Sequence, residues 1–263
     1  MSGPRALEPV SGVRVRMTVA YVGAGFFGWQ IQPDRRTVQG ELKRALGRLM
    51  GREVSVVGAG RTDTGVNARG QVAHVTVANA EEAARIPRAL PGMLPADMTV
   101  TDVRAVPVDF NARFSAVARR YSYHLYLGRD IFRSLCWQIA KPLDRAAMDA
   151  AAVHFRGSRD CTSLCKTASL KDDGNICVID LCAFEWGPDS AILHVRANRF
   201  LHHMVRIMVG TLVEVGLGRR SPESIPEMLA ARNRGRAGAM APPEGLFLEK
   251  VYYPDIPCEG ENA

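Results

Sequence analysis

Between residues 14 and 22 the chain alternates, with Val15, Met17, Val19 and Tyr21 on one side and Arg14, Arg16, Thr18 and Ala20 on the other. A period of two marks a strand with one covered face. From Val38 to Met50 the period changes. Leu42, Ala45, Leu46, Leu49 and Met50 form the stripe of an amphipathic helix, which Gly51 stops. Strands are predicted near 54–57, 71–77 and 98–106, with a short helix near 81–90 limited by Pro87 and Pro91.

The second half repeats this order. Tyr121, Tyr123, Leu125 and Leu127 alternate with Ser122, His124 and Tyr126, another strand. Asp144 is an N-cap for a helix running to about Phe155. Strands follow near 177–186 and 192–197. A strongly apolar helix spans about 202–215, ending at Gly216 and Gly218. A short helix near 222–231 precedes a last strand over 246–252. Both halves read β-α-β-β-α-β, the split βαβ order of ferredoxin-like units. The expected fold is therefore α+β: two ferredoxin-like halves side by side, with a central, mostly antiparallel sheet and a cleft suited to a substrate. The expected boundaries are a leader over 1–13, an N-terminal half over 14–110, a C-terminal half over 111–256 and a tail over 257–263. The junction is placed in the polar stretch 109–118.

The first ten residues lack the apolar core of a signal peptide, and no run approaches the ~20 apolar residues of a membrane helix. A cytoplasmic protein is expected. The net charge of +7 favours a polyanionic partner, since Lys and Arg gain affinity from nucleic acid by releasing its counterions. Of the 34 basic residues 29 are Arg, which forks onto phosphate and stacks on bases better than Lys. Codon bias accounts for the same excess equally well. Cys136, Cys161, Cys165, Cys177, Cys182 and Cys258 show no C-x-x-C pair, so reduced thiols are expected and neither a disulfide framework nor a metal set.

Two glycine-rich stretches are candidates for chemistry. Gly23-Ala24-Gly25-Phe26-Phe27-Gly28 fits a dinucleotide fingerprint, which requires the third glycine to open a helix. Here Gly28 leads into Trp29–Asp34 with Pro33 in the way, which argues against that reading and the oxidoreductase it implies. The second runs from Gly58 to Gln71, with glycines at 58, 60, 65 and 70 around Arg61, Asp63 and Arg69. Glycines allow a close backbone approach. The arginines suit phosphate, and Asp63 is the one carboxylate in the stretch.

Gly60-Arg61-Thr62-Asp63-Thr64-Gly65-Val66 closely resembles the signature of the tRNA pseudouridine synthase A family, Gly-Arg-Thr-Asp-Ala-Gly-Val-His-Ala. Five further blocks resemble that family in order: 27–32, 38–42, Phe110–Phe114 with Ala118–Tyr123, Phe200–Arg206, and Ala241–Leu248. Departures fall at Thr64 and Asn67, where Ala and His are usual and RNA contacts are expected to change. Others fall at Arg159–Leu164, and near 176–178, where an arginine is absent.

The resemblance implies a pseudouridine synthase core and isomerisation of uridine at tRNA positions 38, 39 and 40, with no cofactor and no metal. It implies a homodimer acting on the anticodon stem-loop. It makes Asp63 the catalytic carboxylate, acting at C1′, C6 or the 2′ position of a flipped-out uridine. Arg206 is implied to pair with Asp63, since a nearby cation favours an ionised carboxylate. Tyr121 is implied to stack on the base and assist proton loss, and Arg61 to fill the vacated stack or hold a flanking phosphate. Gln71, His202, His203 and Leu246 are expected to contact RNA or substrate. Apart from the resemblance, Tyr121 reads as a core residue of its strand and Arg206 as a basic residue at a sheet edge. Arg232, Arg234 and Arg236 alternate on a loop, read either as solvated or as a basic strand over tRNA.

Overall fold

In the computed structural model, which describes residues 12–169 and 174–254, the alternating N-terminal segment is strand β1 (Val13–Tyr21). The expected tail, and all of the expected leader except Gly12 and Val13, lie outside the described residues. Helix α1 (Val38–Met50) begins where the Thr37 hydroxyl accepts a bond from Gly40 N–H and ends at Gly51, whose φ of 67° needs a glycine. Strands β2 (Val56–Gly58) and β3 (Asn67–Val77) follow, then helix α2 (Ala80–Met93) and strand β4 (Met98–Val106). Pro87 and Pro91 were expected to limit α2, yet both lie inside it. Both are exposed, about a quarter-turn round from the buried Ile86 and Leu90. Burial of that apolar face carries the helix through the missing N–H donors.

The second half begins with β5 (Ala118–Tyr126) and a short β6 (Trp137–Gln138). Helix α3 (Arg145–Val153) is capped as expected by Asp144, whose carboxylate accepts from Ala147 N–H at 2.9 Å. Strands β7 (Gly157–Asp160), β8 (Ile176–Trp186) and β9 (Ser190–Ala197) follow. Helices α4 (Met204–Gly216) and α5 (Ser224–Ala230) lead to β10 (Leu246–Tyr252).

All ten strands join one sheet, in the order β4-β1-β3-β10-β5-β9-β8-β7, with β2 on β3 and β6 on β5. This is the expected central, mostly antiparallel sheet, and β10 joins its two sides. It pairs antiparallel with β5 and parallel with β3 through Phe247↔Asn67 and Leu248↔Ala68. On that same edge of β3, β2 pairs with residues 73–75. The sheet thus forks at β3, and the cleft opens between β2 and β10. Buried apolar side chains form one cluster under α1 and α2 and another under α3 and α4. Tyr121 packs against both, so it marks the seam.

The β4–β5 connection is fixed through His74, which is 5% exposed and accepts the Ala112 N–H at Nδ1 over 3.0 Å. That bond requires the neutral ring. Burial, aided by the charge of Arg14, lowers the His74 pKa to about 4. An unfolded histidine takes up its proton near pH ~6.5, so the unfolded state binds the proton first as pH falls. Stability is expected to drop by roughly 3 kcal/mol as pH is lowered from above 6.5 through 4. Urea unfolding of the wild type and of His74→Gln across this range tests the assignment. The variant keeps an acceptor without titrating, so parallel pH profiles would refute it.

Candidate active site

The turn bearing Asp63 joins β2 to β3 and is packed from behind. Its backing is the stretch Gly23–Trp29, the glycine fingerprint that opened no helix. Trp29 N–H donates to the Thr62 carbonyl at 3.1 Å, and Gly65 N–H to the Phe26 carbonyl at 3.4 Å. Gly28 has φ 80°, and a Cβ there would lie 2.6 Å from the Thr62 oxygen. These glycines let one loop lie on another rather than cradle a pyrophosphate. From inside, the buried Tyr21 hydroxyl bonds the Thr62 hydroxyl at 2.8 Å.

Gln71 was expected to contact RNA or substrate. It is wholly buried in β3, with its amide donating to the Gly60 carbonyl at 3.0 Å and accepting from Val72 N–H. Asn67 is buried as well. It is 1% exposed, accepts from Gly23 N–H at 2.8 Å and donates to the Glu244 carbonyl at 2.8 Å. That departure therefore ties three segments together. Thr64, the other departure in the turn, is exposed.

Facing the turn is the start of α4. His203 precedes the helix at φ 69°, a left-handed conformation that His tolerates better than most residues and that recurs at functional sites. It brings three cationic or imidazole groups to one carboxylate. Arg206 Nη1 donates to Asp63 Oδ2 at 3.1 Å, His203 Nε2 lies 3.5 Å from Oδ2, and His202 Nε2 lies 3.4 Å from Oδ1. Arg206 is buried and doubly clamped: its Nε donates to the Ala241 carbonyl at 2.8 Å, and its own carbonyl accepts from Ala241 N–H. Such a buried cation makes a fixed counter-charge for Asp63, whose side chain stays 21% exposed to the cleft.

The cleft is about 1190 Å³ and also takes in Arg61, Tyr121, Lys166, Ser169, Arg199, Phe200 and Leu246. The Tyr121 and Phe200 rings meet edge to face with centroids 4.9 Å apart, an aromatic wall beside Asp63. Burial, and then the charge of Asp63, raise the Tyr121 phenol well above its ordinary range, so it is protonated at neutral pH. Arg61 is exposed at the rim, with Nε on Gln30 Oε1 at 3.2 Å. Arg232 pairs instead with Asp160 at 2.8 Å, and Arg232, Arg234 and Arg236 do not line the cleft.

The site also contains residues that the sequence reading passed over. Phe200 lay in a quoted block without a role. Arg119 donates to the carbonyls of Ala59, Arg113 and Asn198, holding the turn, the β4–β5 loop and the end of β9 together. Neither pattern nor charge distinguishes such a residue from a surface arginine. Among the described residues, Asp63, His202 and His203 form a group able to hold a metal ion, with one ligand atom from each within 4.8 Å of the others.

The family model described as tRNA pseudouridine synthase matches residues 17–115 and 151–254. The chain belongs to the tRNA pseudouridine synthase family. It is 44% identical over 244 residues to "tRNA pseudouridine synthase A" of Moorella thermoacetica, covering 91% of this chain and 99% of that protein. It is 43% identical over 238 residues to the protein of that name from Halalkalibacterium halodurans, covering 89% and 90%. The counterpart from Maridesulfovibrio salexigens is 39% identical over 256 residues, covering 94% and 93%. The two stretches that match this synthase family carry the two sides of the cleft, the Asp63 turn in the first and the His202–Arg206 segment in the second.

Proposed function

We propose that this chain isomerises uridine to pseudouridine at positions 38–40 of the tRNA anticodon stem-loop. The observation that carries the reading is Asp63, held by Arg206 beside an aromatic wall in an open cleft. A uridine inside a stacked stem cannot reach such a carboxylate and must be flipped out, at a cost of a few kcal/mol. The cleft volume suits a flipped nucleotide with its flanking backbone. Arg61, exposed at the rim, takes the vacated stack or holds a phosphate. Asp63, paired with Arg206, acts as the nucleophile on the nucleotide. The detached uracil, its N1–C1′ bond broken, turns against Tyr121 and forms the C5–C1′ bond as Asp63 is released; C5 then loses its proton and N1 takes one up. Tyr121, protonated, offers a stacking face and a hydroxyl donor during that turn. His202, His203 and Leu246 border the same space.

The same reading includes a homodimer in the cytoplasm. It is compatible with the absence, among the described residues, of any helix long and apolar enough to cross a membrane. Light scattering giving only monomer at working concentration would remove the dimer. It also includes two ferredoxin-like halves, 14–110 and 111–256. Strand order supports this: β4-β1-β3-β2 and β10-β5-β9-β8 place the four strands of each half alike. The activity is tested by incubating tRNA with the protein and mapping pseudouridine by mass spectrometry. New pseudouridine at 38–40 is expected, and unmodified tRNA refutes the reading.

A further inference from the structure

Asp63, His202 and His203 do more than line a cleft: they bring one carboxylate and two imidazoles within 4.8 Å of one another. In a tetrahedral zinc site with bonds of ~2.0–2.1 Å, neighbouring ligand atoms lie roughly 3.3–3.4 Å apart. Here His202 Nε2 is 3.4 Å from Asp63 Oδ1 and His203 Nε2 is 3.5 Å from Oδ2, the other oxygen of the same carboxylate, so a small turn of that carboxylate or of one ring brings all three onto one ion. The two imidazoles are neighbours, with ring centroids 3.9 Å apart. A second, independent observation concerns the far side of His202. Its Nδ1 is bonded to Ser169 Oγ at 2.8 Å. A ligating histidine commonly donates through its other nitrogen in this way, which fixes the ring and turns Nε2 towards the ion. On the carboxylate, Arg206 holds Oδ2 and orients the group. The cleft leaves a fourth position open to water, as in sites with three protein ligands.

We propose that this triad is an inhibitory site for a first-row divalent transition metal, with zinc the preferred occupant. Two imidazoles and one carboxylate suit zinc better than magnesium or calcium, which favour all-oxygen sets. An ion here draws on the carboxylate oxygens with which Asp63 would meet a nucleotide, and fills the space in front of it. The positive charges of Arg206 and of Lys166 on the cleft wall oppose the ion, so binding is weaker than in a structural zinc site. The ion blocks the reaction and is not required for it.

The test begins with metal-free protein and no tRNA, so its binding arm does not depend on the pseudouridine reading. Only the inhibition arm rests on that reading. Co²⁺ is titrated as an optical probe and displaced by Zn²⁺. One site is expected, and His202→Gln, His203→Gln and Asp63→Asn should each weaken it by at least about tenfold. Ser169→Ala, at the surface and outside the triad, should weaken it about tenfold through loss of the His202 bond. Zn²⁺ should also inhibit pseudouridine formation over the concentrations at which it binds, with recovery on adding a chelator. Wild-type affinity in both histidine variants, which would put the ion on thiols such as Cys136, overturns the proposal. So does saturation of the site without loss of activity in an active enzyme.

Discussion

Asp63→Asn should abolish pseudouridine formation while tRNA affinity stays within a few-fold of wild type. The substitution keeps the size of the side chain and leaves an oxygen for the Arg206 donor at 3.1 Å, so the fold has little reason to change. It removes the charge and the nucleophilic oxygen pair. Binding is left to cations elsewhere on the cleft, including Arg61, Lys166 and Arg199. A side chain without a chemical role would give a change within about 0.5 kcal/mol, as most surface substitutions do. Single-turnover assays alongside tRNA affinity decide between these outcomes. Substantial remaining turnover in a folded variant would overturn the assignment.

Much of the molecule could be read from sequence where one physical cause acts alone. β1 is covered on one face only, so its alternation is clean and its bounds were found within one residue. α1 and α3 carry local caps that act within four residues. β3 was harder. It is buried almost throughout, which erases alternation, and its first residues, Asn67–Gly70, read as loop because three of the four are polar or glycine. Gly70 is there because the Glu249 backbone passes too close for any Cβ. Nothing local reports that approach, since Arg69 and Glu249 are 180 residues apart. Within the site, Asp63 and Arg61 were legible as charge among glycines. The burial of Gln71 and Asn67 was not legible, because a polar residue in a glycine-rich stretch looks solvated, whereas these two satisfy buried backbone groups.

Gly210→Ala should be the most damaging conservative change in α4. Propensity alone would favour it, since alanine in a helix interior gains up to about 1 kcal/mol over glycine. Space decides otherwise. A Cβ at Gly210 would sit inside the Ala239 carbonyl, 2.8 Å from its carbon and 3.3 Å from Ala241 N. Backbone cannot yield as a flexible side chain does, so the 239–241 segment must move. Overpacking of this kind costs about 1–3 kcal/mol. The same segment holds Arg206 at both ends through Ala241. Displacing it by even ~1 Å misplaces the partner of Asp63, for which a loss of roughly 100-fold in turnover is expected. Gly92→Ala in α2, where nothing lies within 4 Å, is the control and should not destabilise. Urea unfolding and single-turnover rates on both variants test this, and wild-type stability with wild-type turnover for Gly210→Ala would refute it.

The last strand among the described residues is a middle strand of the sheet. β10 lies between β3 and β5, and the segment that clamps Arg206 comes just before it. On the ribosome, N-terminal parts of a chain emerge and begin to fold first. α1, β1 and β3 can then find one another early, whereas the pairing of Phe247 with Asn67 must wait for the far end of the chain. Until that end emerges, β3 offers an open edge beside the future cleft, a form prone to pairing with the wrong strand. A nascent chain therefore carries Asp63 long before it carries an active site.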